Sequence, residues 1–248
     1  MKKNLTILSA ILITLFLFSL KASAQDDNPQ AKSYLTFLGG ISSPVSNFGQ
    51  ANYSNNSAGF AKPGAAFGFD LAIYVYKNLA IGITGTFQDQ GELDFNDVTL
   101  LANGYNTSFA KDVTNVTAVN RYQNINLMAG PQYTFLYKKF TLDLRASAGI
   151  IKSTSTPYTT INFDNSASAA ATFYQLNSTA IALAYSGSVG LRYSLGDSWD
   201  VGIKANYINS DGIKIDNSNN PDAGTVGRYV TKQPITEIQT TLGITLKF

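Results

Sequence analysis

Residues Thr236–Phe248 read TEIQTTLGITLKF. One set of alternating positions holds Ile238, Thr240, Leu242, Ile244, Leu246 and Phe248. The other holds Glu237, Gln239, Thr241, Gly243, Thr245 and Lys247. A period of two sustained over this length describes a β-strand with one apolar and one polar face. A slip of one residue would exchange the faces, so the register is strongly specified. The sequence stops at the end of that strand, on an aromatic ring.

Working back from this stretch, the same alternation recurs. Aromatic and β-branched residues and Gly dominate, and no long stretch carries a helical period. Eight strands are predicted, at 33–42, 64–75, 79–90, 121–137, 140–152, 179–195, 199–210 and 235–248. Three connections are short: Tyr76-Lys77-Asn78, Lys138-Lys139 and Gly196-Asp197-Ser198. Four are long: 43–63, 91–120, 153–178 and 211–234, rich in Asn, Ser, Thr, Asp and Gly, as in NYSNNSAG (52–59) and DNSNNPDAG (216–224). Short and long connections alternate strictly. The expectation is an all-β, eight-stranded antiparallel up-and-down barrel with every short turn at one end, the arrangement of transmembrane barrels with periplasmic turns and long extracellular loops.

Which face looks outward follows from what the polar face contains. In 179–195 it carries Ala182, Ala184, Ser186, Ser188, Gly190 and Arg192: small residues with an occasional charge. That content suits a crowded lumen better than a solvated exterior, which normally carries dense Lys and Glu. The opposite face, with Leu183, Val189 and Leu191 beside Ile238 and Leu242, suits lipid. Aromatics gather beside the short turns (Tyr74, Tyr76, Phe135, Tyr137, Phe140, Tyr193, Trp199 and Phe248), as an interfacial girdle would. A soluble periplasmic lipocalin-like barrel, apolar inside, is the alternative architecture.

The other terminus places the chain in a compartment. Lys2 and Lys3 precede an apolar run, Leu5–Leu20, and Ala22-Ser23-Ala24 has a small-x-small cleavage pattern. Residues 1–24 are therefore expected to be a signal peptide, 25–32 a short polar lead and 33–248 the barrel domain. Without Lys2, Lys3 and Lys21, fifteen basic residues face sixteen acidic ones, so bulk charge gives no reason to expect a nucleic-acid partner. Charged residues make up 14% of the chain, against about 25% in typical soluble domains.

The sequence resembles the eight-stranded outer-membrane barrels, the family of the outer membrane protein A transmembrane domain, in the form common in the Bacteroidota. The stretches that carry the resemblance are FLGGISSPVSNFG (37–49), AKPGAAFGFDLAIYVYKNLAIGI (61–83) and the last strand closing on Phe248. It implies residence in the cell outer membrane, with lipid around the wall. It also implies that Phe248 and its strand are the signal read by the barrel-assembly machinery. No peptidoglycan-binding domain is recognised after the barrel, so a cell-wall tethering role is not carried over.

Projecting the alternation onto all strands puts eight charged residues on the inward face: Asp70, Asp143, Asp200 and Glu237 against Arg145, Arg192, Lys204 and Lys247. A lone charge confined there is costly, whereas paired charges are tolerable, so a plug of internal salt bridges is expected. With no His and no Cys in the chain, Ser–His and Cys–His constellations are impossible. The carboxylate pairs Glu92/Asp94 and Asp216/Asp222 fall in loops that solvate them. The 216–224 loop lacks the EF-hand register. No catalytic, cofactor-binding or metal-ligating residue is assigned, and no cofactor. The expected protein is a non-enzymatic monomer acting through its surface loops on an extracellular or envelope partner, in adhesion, envelope integrity or docking. A narrow pore for small solutes is the second reading.

Overall fold

A computed structural model describes residues 31–109, 113–163, 172–215, 228 and 230–248. The expected signal peptide, residues 25–30 of the lead, and the 216–224 loop with Asp216 and Asp222 lie outside the described residues. The barrel strands are β1 (Tyr34–Pro44), β2 (Lys62–Tyr76), β3 (Leu79–Gly91), β4 (Gln123–Tyr137), β5 (Phe140–Ser155), β6 (Ile181–Ser194), β7 (Trp199–Ser210) and β8 (Thr236–Lys247). Each pairs antiparallel with the next, and β8 returns to β1, from Tyr34 opposite Lys247 to Pro44 opposite Glu237. Closure leaves no unpaired edge, the condition for placing strands in hydrocarbon. The strand bounds fall within three residues of those expected from the sequence.

Alternation sorts the wall as the terminal strand requires. Along β8, Ile238, Thr240, Leu242, Ile244 and Leu246 face out, while Glu237, Gln239, Thr241 and Thr245 are buried inside. Leu183 and Leu242 keep 73% and 68% of their surface exposed. For a large apolar side chain that exposure makes sense only against lipid, since the wall presents such residues all round. Girdle aromatics Phe135, Tyr137, Phe140, Tyr193, Trp199 and Phe248 are outward and exposed beside the short turns. Tyr74 is a correction. It shares the inward parity of Asp70 and Ala72, and its hydroxyl bonds Thr134 Oγ1 at 2.6 Å inside the barrel. Tyr76, partly buried like Tyr74, follows a register shift in the β2–β3 pairing.

The long-loop end is more ordered than expected. Residues read as irregular form helix α1 (Phe95–Phe109), a helical turn at Ser46–Gly49, a three-stranded sheet (113–119, 158–163 and 172–175) and a two-stranded ribbon (213–214 with 232–233). Asp94 and Asp97 start α1 with a reciprocal cap: each carboxylate accepts the other's backbone N–H at 3.0 Å. Val98, Leu101, Ala102 and Tyr105, spaced at helical period, then pack against Ala58, Phe60, Val116 and Ile161.

Candidate functional site

The inward charges form a chain that begins at the short-turn end. Lys247 Nζ lies 2.6 Å from Asp200, whose other oxygen accepts from Arg192 Nη1 at 2.9 Å. Arg192 Nε donates to Asp143 at 2.7 Å, and its guanidinium lies 3.9 Å over the Tyr34 ring. Asp143 also accepts from Thr134 Oγ1 and Gln132 Nε2. Higher in the barrel, Asp70 is the hub. Its Oδ1 accepts from Arg145 Nη1 at 2.6 Å, Lys204 Nζ at 2.6 Å and Thr84 Oγ1 at 2.5 Å; its Oδ2 accepts from Arg145 Nη2 at 3.2 Å. Gln132 Oε1 accepts Arg145 Nε at 3.0 Å and so links the two groups.

Register explains why these residues meet. Asp70 stands opposite Thr84, Gln132 opposite Arg145, and Thr134 opposite Asp143. Side chains from β2, β3, β5 and β7 then converge across a lumen only wide enough to be filled by side chains. The void left between Tyr34, Asp70, Gln132, Asp143, Arg192 and Lys204 is about 30 Å³, the space of about one water. Gly82 belongs to this group although no charge marks it. A Cβ there would lie 2.1 Å from Arg145 Cζ, so only glycine lets the guanidinium lie against the inner face of β3.

Glu237 stands apart from the network. Among the described residues it has no cationic partner. Ser42 Oγ (2.8 Å) and Gln90 Nε2 (3.0 Å) donate to one oxygen, and Gln239 Nε2 (2.8 Å) to the other. Of the eight inward charges, ion pairs therefore join seven, three acids with four bases, and leave Glu237 out. The reason is distance along the strand. Lys204 stands opposite Thr241, four residues from Glu237, or about 13 Å at the usual rise. Around Glu237 lies a band of buried amides, with Gln88 and Asn126 hydrogen-bonded only in part and, among the described residues, neither polar atom of the Asn124 amide hydrogen-bonded.

Beside that band the lumen turns apolar, which charge-centred reading missed although the alternation carried it. Met128, Ile151 and Ile208 point inward and are fully buried. Loop residues Phe48, Tyr122, Ile213, Ile215 and Ile235 pack onto them, with the Phe48 and Tyr122 rings edge to face at 4.9 Å. Above, Arg228 donates to the carbonyls of Asn52, Tyr53, Asn55 and Ala58 and lies over Phe60, tying the first loop to the last. Burial lowers the Arg228 pKa from its ordinary value and pushes the Tyr105 hydroxyl up to about 12. Of the loop carboxylates, Glu92 is exposed near Arg121, and Asp94 serves as the helix cap, held below the ordinary carboxylate range chiefly by the Asp97 backbone N–H.

A closed eight-stranded barrel with an apolar exterior, an aromatic belt at one end and a polar, ion-paired interior is the architecture of a bacterial outer-membrane barrel. The model of the outer membrane protein beta-barrel domain matches residues 11–228, and the chain belongs to that family. No curated protein sequence matches it. Among solved structures, the chain is similar to Neisserial surface protein A (11% identity, 89% of this chain and 100% of that one, TM-score 0.46). It is also similar to the Yersinia pestis outer membrane protein Ail (12%, 88% and 100%, TM-score 0.37) and to the Escherichia coli outer membrane phospholipase A (13%, 90% and 94%, TM-score 0.23).

Proposed function

We propose that this outer-membrane barrel is a closed, non-enzymatic scaffold whose working surface is its long-loop end, turned outward from the cell. The observation that carries this reading is that two separate devices occupy the lumen. Ion pairs from Lys247 to Asp70 fill the short-turn half, and an apolar cluster from Met128 to Ile235 fills the other. Ions crossing the barrel would have to break the first and then pass the buried apolar packing of the second. A pore for small solutes is disfavoured on that ground. An enzymatic role is disfavoured by a sequence without His, the residue on which most hydrolytic triads depend.

The loops, by contrast, invest chain in a built surface. A capped helix, a three-stranded sheet and a buried arginine are more than turns need, and ordered long loops on a rigid scaffold are where binding resides. The partner in this reading is extracellular or part of the envelope, the barrel is monomeric, and Phe248 serves the assembly machinery. Planar-bilayer recording tests it. The wild-type protein should give no steady conductance, and Asp70→Ala or Arg145→Ala should give at most brief events. Steady wild-type channels that shift with either substitution would establish the pore instead.

A further inference from the structure

The outer wall is not uniformly convex. Phe140, Leu191, Tyr193, Val201, Leu242 and Ile244 line a shallow, open apolar groove of about 720 Å³ across β5 to β8. Gly39 of β1 lies at its far edge, where an added Cβ would meet only a Phe67 ring carbon at 3.8 Å. At the short-turn end the groove closes on Phe140 and Tyr193, whose rings pack edge to face at 5.1 Å.

Two lysines stand at that end. Lys139 Nζ is 5.9 Å from the Tyr193 ring centre and Lys138 Nζ is 5.4 Å from that of Tyr137. Among the described residues neither has a carboxylate partner. Just inside the barrel mouth is a vestibule of about 320 Å³, lined by both lysines together with Lys32, Arg192 and Lys247, against Asp197 and Asp200. Arg192 and Lys247 are engaged by Asp143 and Asp200, and Lys32 donates to the Asp197 carbonyl at 3.4 Å. Lys138 and Lys139 thus contribute positive charge that no carboxylate among the described residues pairs, held at the level of the exposed girdle rings, where lipid headgroups lie. Groove and vestibule share Arg192 in their walls.

We infer that this corner binds one anionic phospholipid of the adjoining leaflet, with an acyl chain in the groove and its headgroup phosphate on Lys138 and Lys139. A free phosphate could use the lysines and the vestibule but would leave the groove without a role; a neutral lipid would leave the lysines without one. The inference rests on the membrane placement of the short-turn end proposed above. Charge complementarity and an apolar channel ending at the same tyrosine are what select a lipid.

The test is native mass spectrometry of the full mature chain, refolded in detergent and exposed to phosphatidylglycerol or phosphatidylethanolamine. One phosphatidylglycerol should be retained in preference to phosphatidylethanolamine. Lys138→Gln with Lys139→Gln should weaken retention about 25-fold, at about 1 kcal/mol for each lysine. Lys77→Gln, in the neighbouring β2–β3 turn and outside the lining of both groove and vestibule, should leave it unchanged. Gly39→Leu, which has room in the fold, should weaken lipid retention while leaving affinity for inorganic phosphate as it was. Equal retention of the two lipids, or indifference to the double lysine variant, would overturn the inference. So would a Gly39→Leu protein that holds lipid as well as wild type. A protein that fails to insert into phosphatidylethanolamine vesicles refutes the membrane placement; one that inserts yet shows no lipid preference refutes this inference alone.

Discussion

Replacing Asp70 by Asn keeps the shape of the hub and removes its charge. Arg145 and Lys204 have no other carboxylate partner among the described residues, so both cations are stranded in a buried site. Breaking one buried pair by removing a partner costs about 3–5 kcal/mol. Two stranded cations put Asp70→Asn at the upper end of that range. Arg145→Met should cost less, about 3 kcal/mol, because Lys204 still neutralises Asp70. Lys204→Met should cost less again, because the two-point contact from Arg145 at 2.6 and 3.2 Å survives. Glu237→Gln strands no cation and should cost only about 1 kcal/mol, the scale of an altered neutral hydrogen bond. Urea titration of the barrel folded in vesicles measures all four. The single tryptophan, Trp199, half-exposed on the lipid face, reports unfolding, and gel mobility gives an independent reading. With a urea dependence of about 2 kcal/mol per molar, a loss of 4 kcal/mol moves the midpoint by about 2 M. An Asp70→Asn midpoint within about 0.5 M of wild type, or Lys204→Met as the costliest change, would refute the hub.

Four further outcomes are expected. Gly82→Ala should destabilise by about 1–3 kcal/mol through the clash with the Arg145 guanidinium, and lose most of that cost in an Arg145→Met background; additive costs would deny the contact. Leu242→Arg, at mid-wall on the lipid face, should cost about 2–4 kcal/mol in vesicle-based unfolding, and a cost below about 1 kcal/mol would move Leu242 off the membrane midplane. Deleting Phe248 should lower the folded fraction in cells more than it lowers refolding of purified protein in detergent; unchanged assembly in cells would reduce Phe248 to a girdle residue. The Asp94 cap, whose carboxyl titrates below the ordinary range, contributes stability above that range and loses it only as pH falls through the lowered value. Amide protection in α1, taken relative to the intrinsic exchange rate at each pH, should therefore be constant from neutral pH down to the ordinary carboxylate range and fall only in stronger acid, whereas a fall near neutral pH would contradict the cap.

Period-two alternation in TEIQTTLGITLKF and its counterparts was enough to determine the barrel, because closure and lipid leave each strand a single choice of which face to bury. The strict alternation of short and long connections determined its up-and-down order, and parity alone brought Asp70, Arg145, Arg192 and Lys204 inside. Parity could also have excluded Tyr74 from the girdle, marked Met128, Ile151 and Ile208 as inward, and, at helical spacing, exposed Val98, Leu101, Ala102 and Tyr105 within a loop rich in Asn and Thr. What no local pattern contains is height. Which acid meets which base depends on the stagger between strands, a property of the closed sheet as a whole. Only the tertiary structure could show that Asp70 holds two cations while Glu237, on the same inward face, sits four residues, about 13 Å, along its strand from the position facing Lys204.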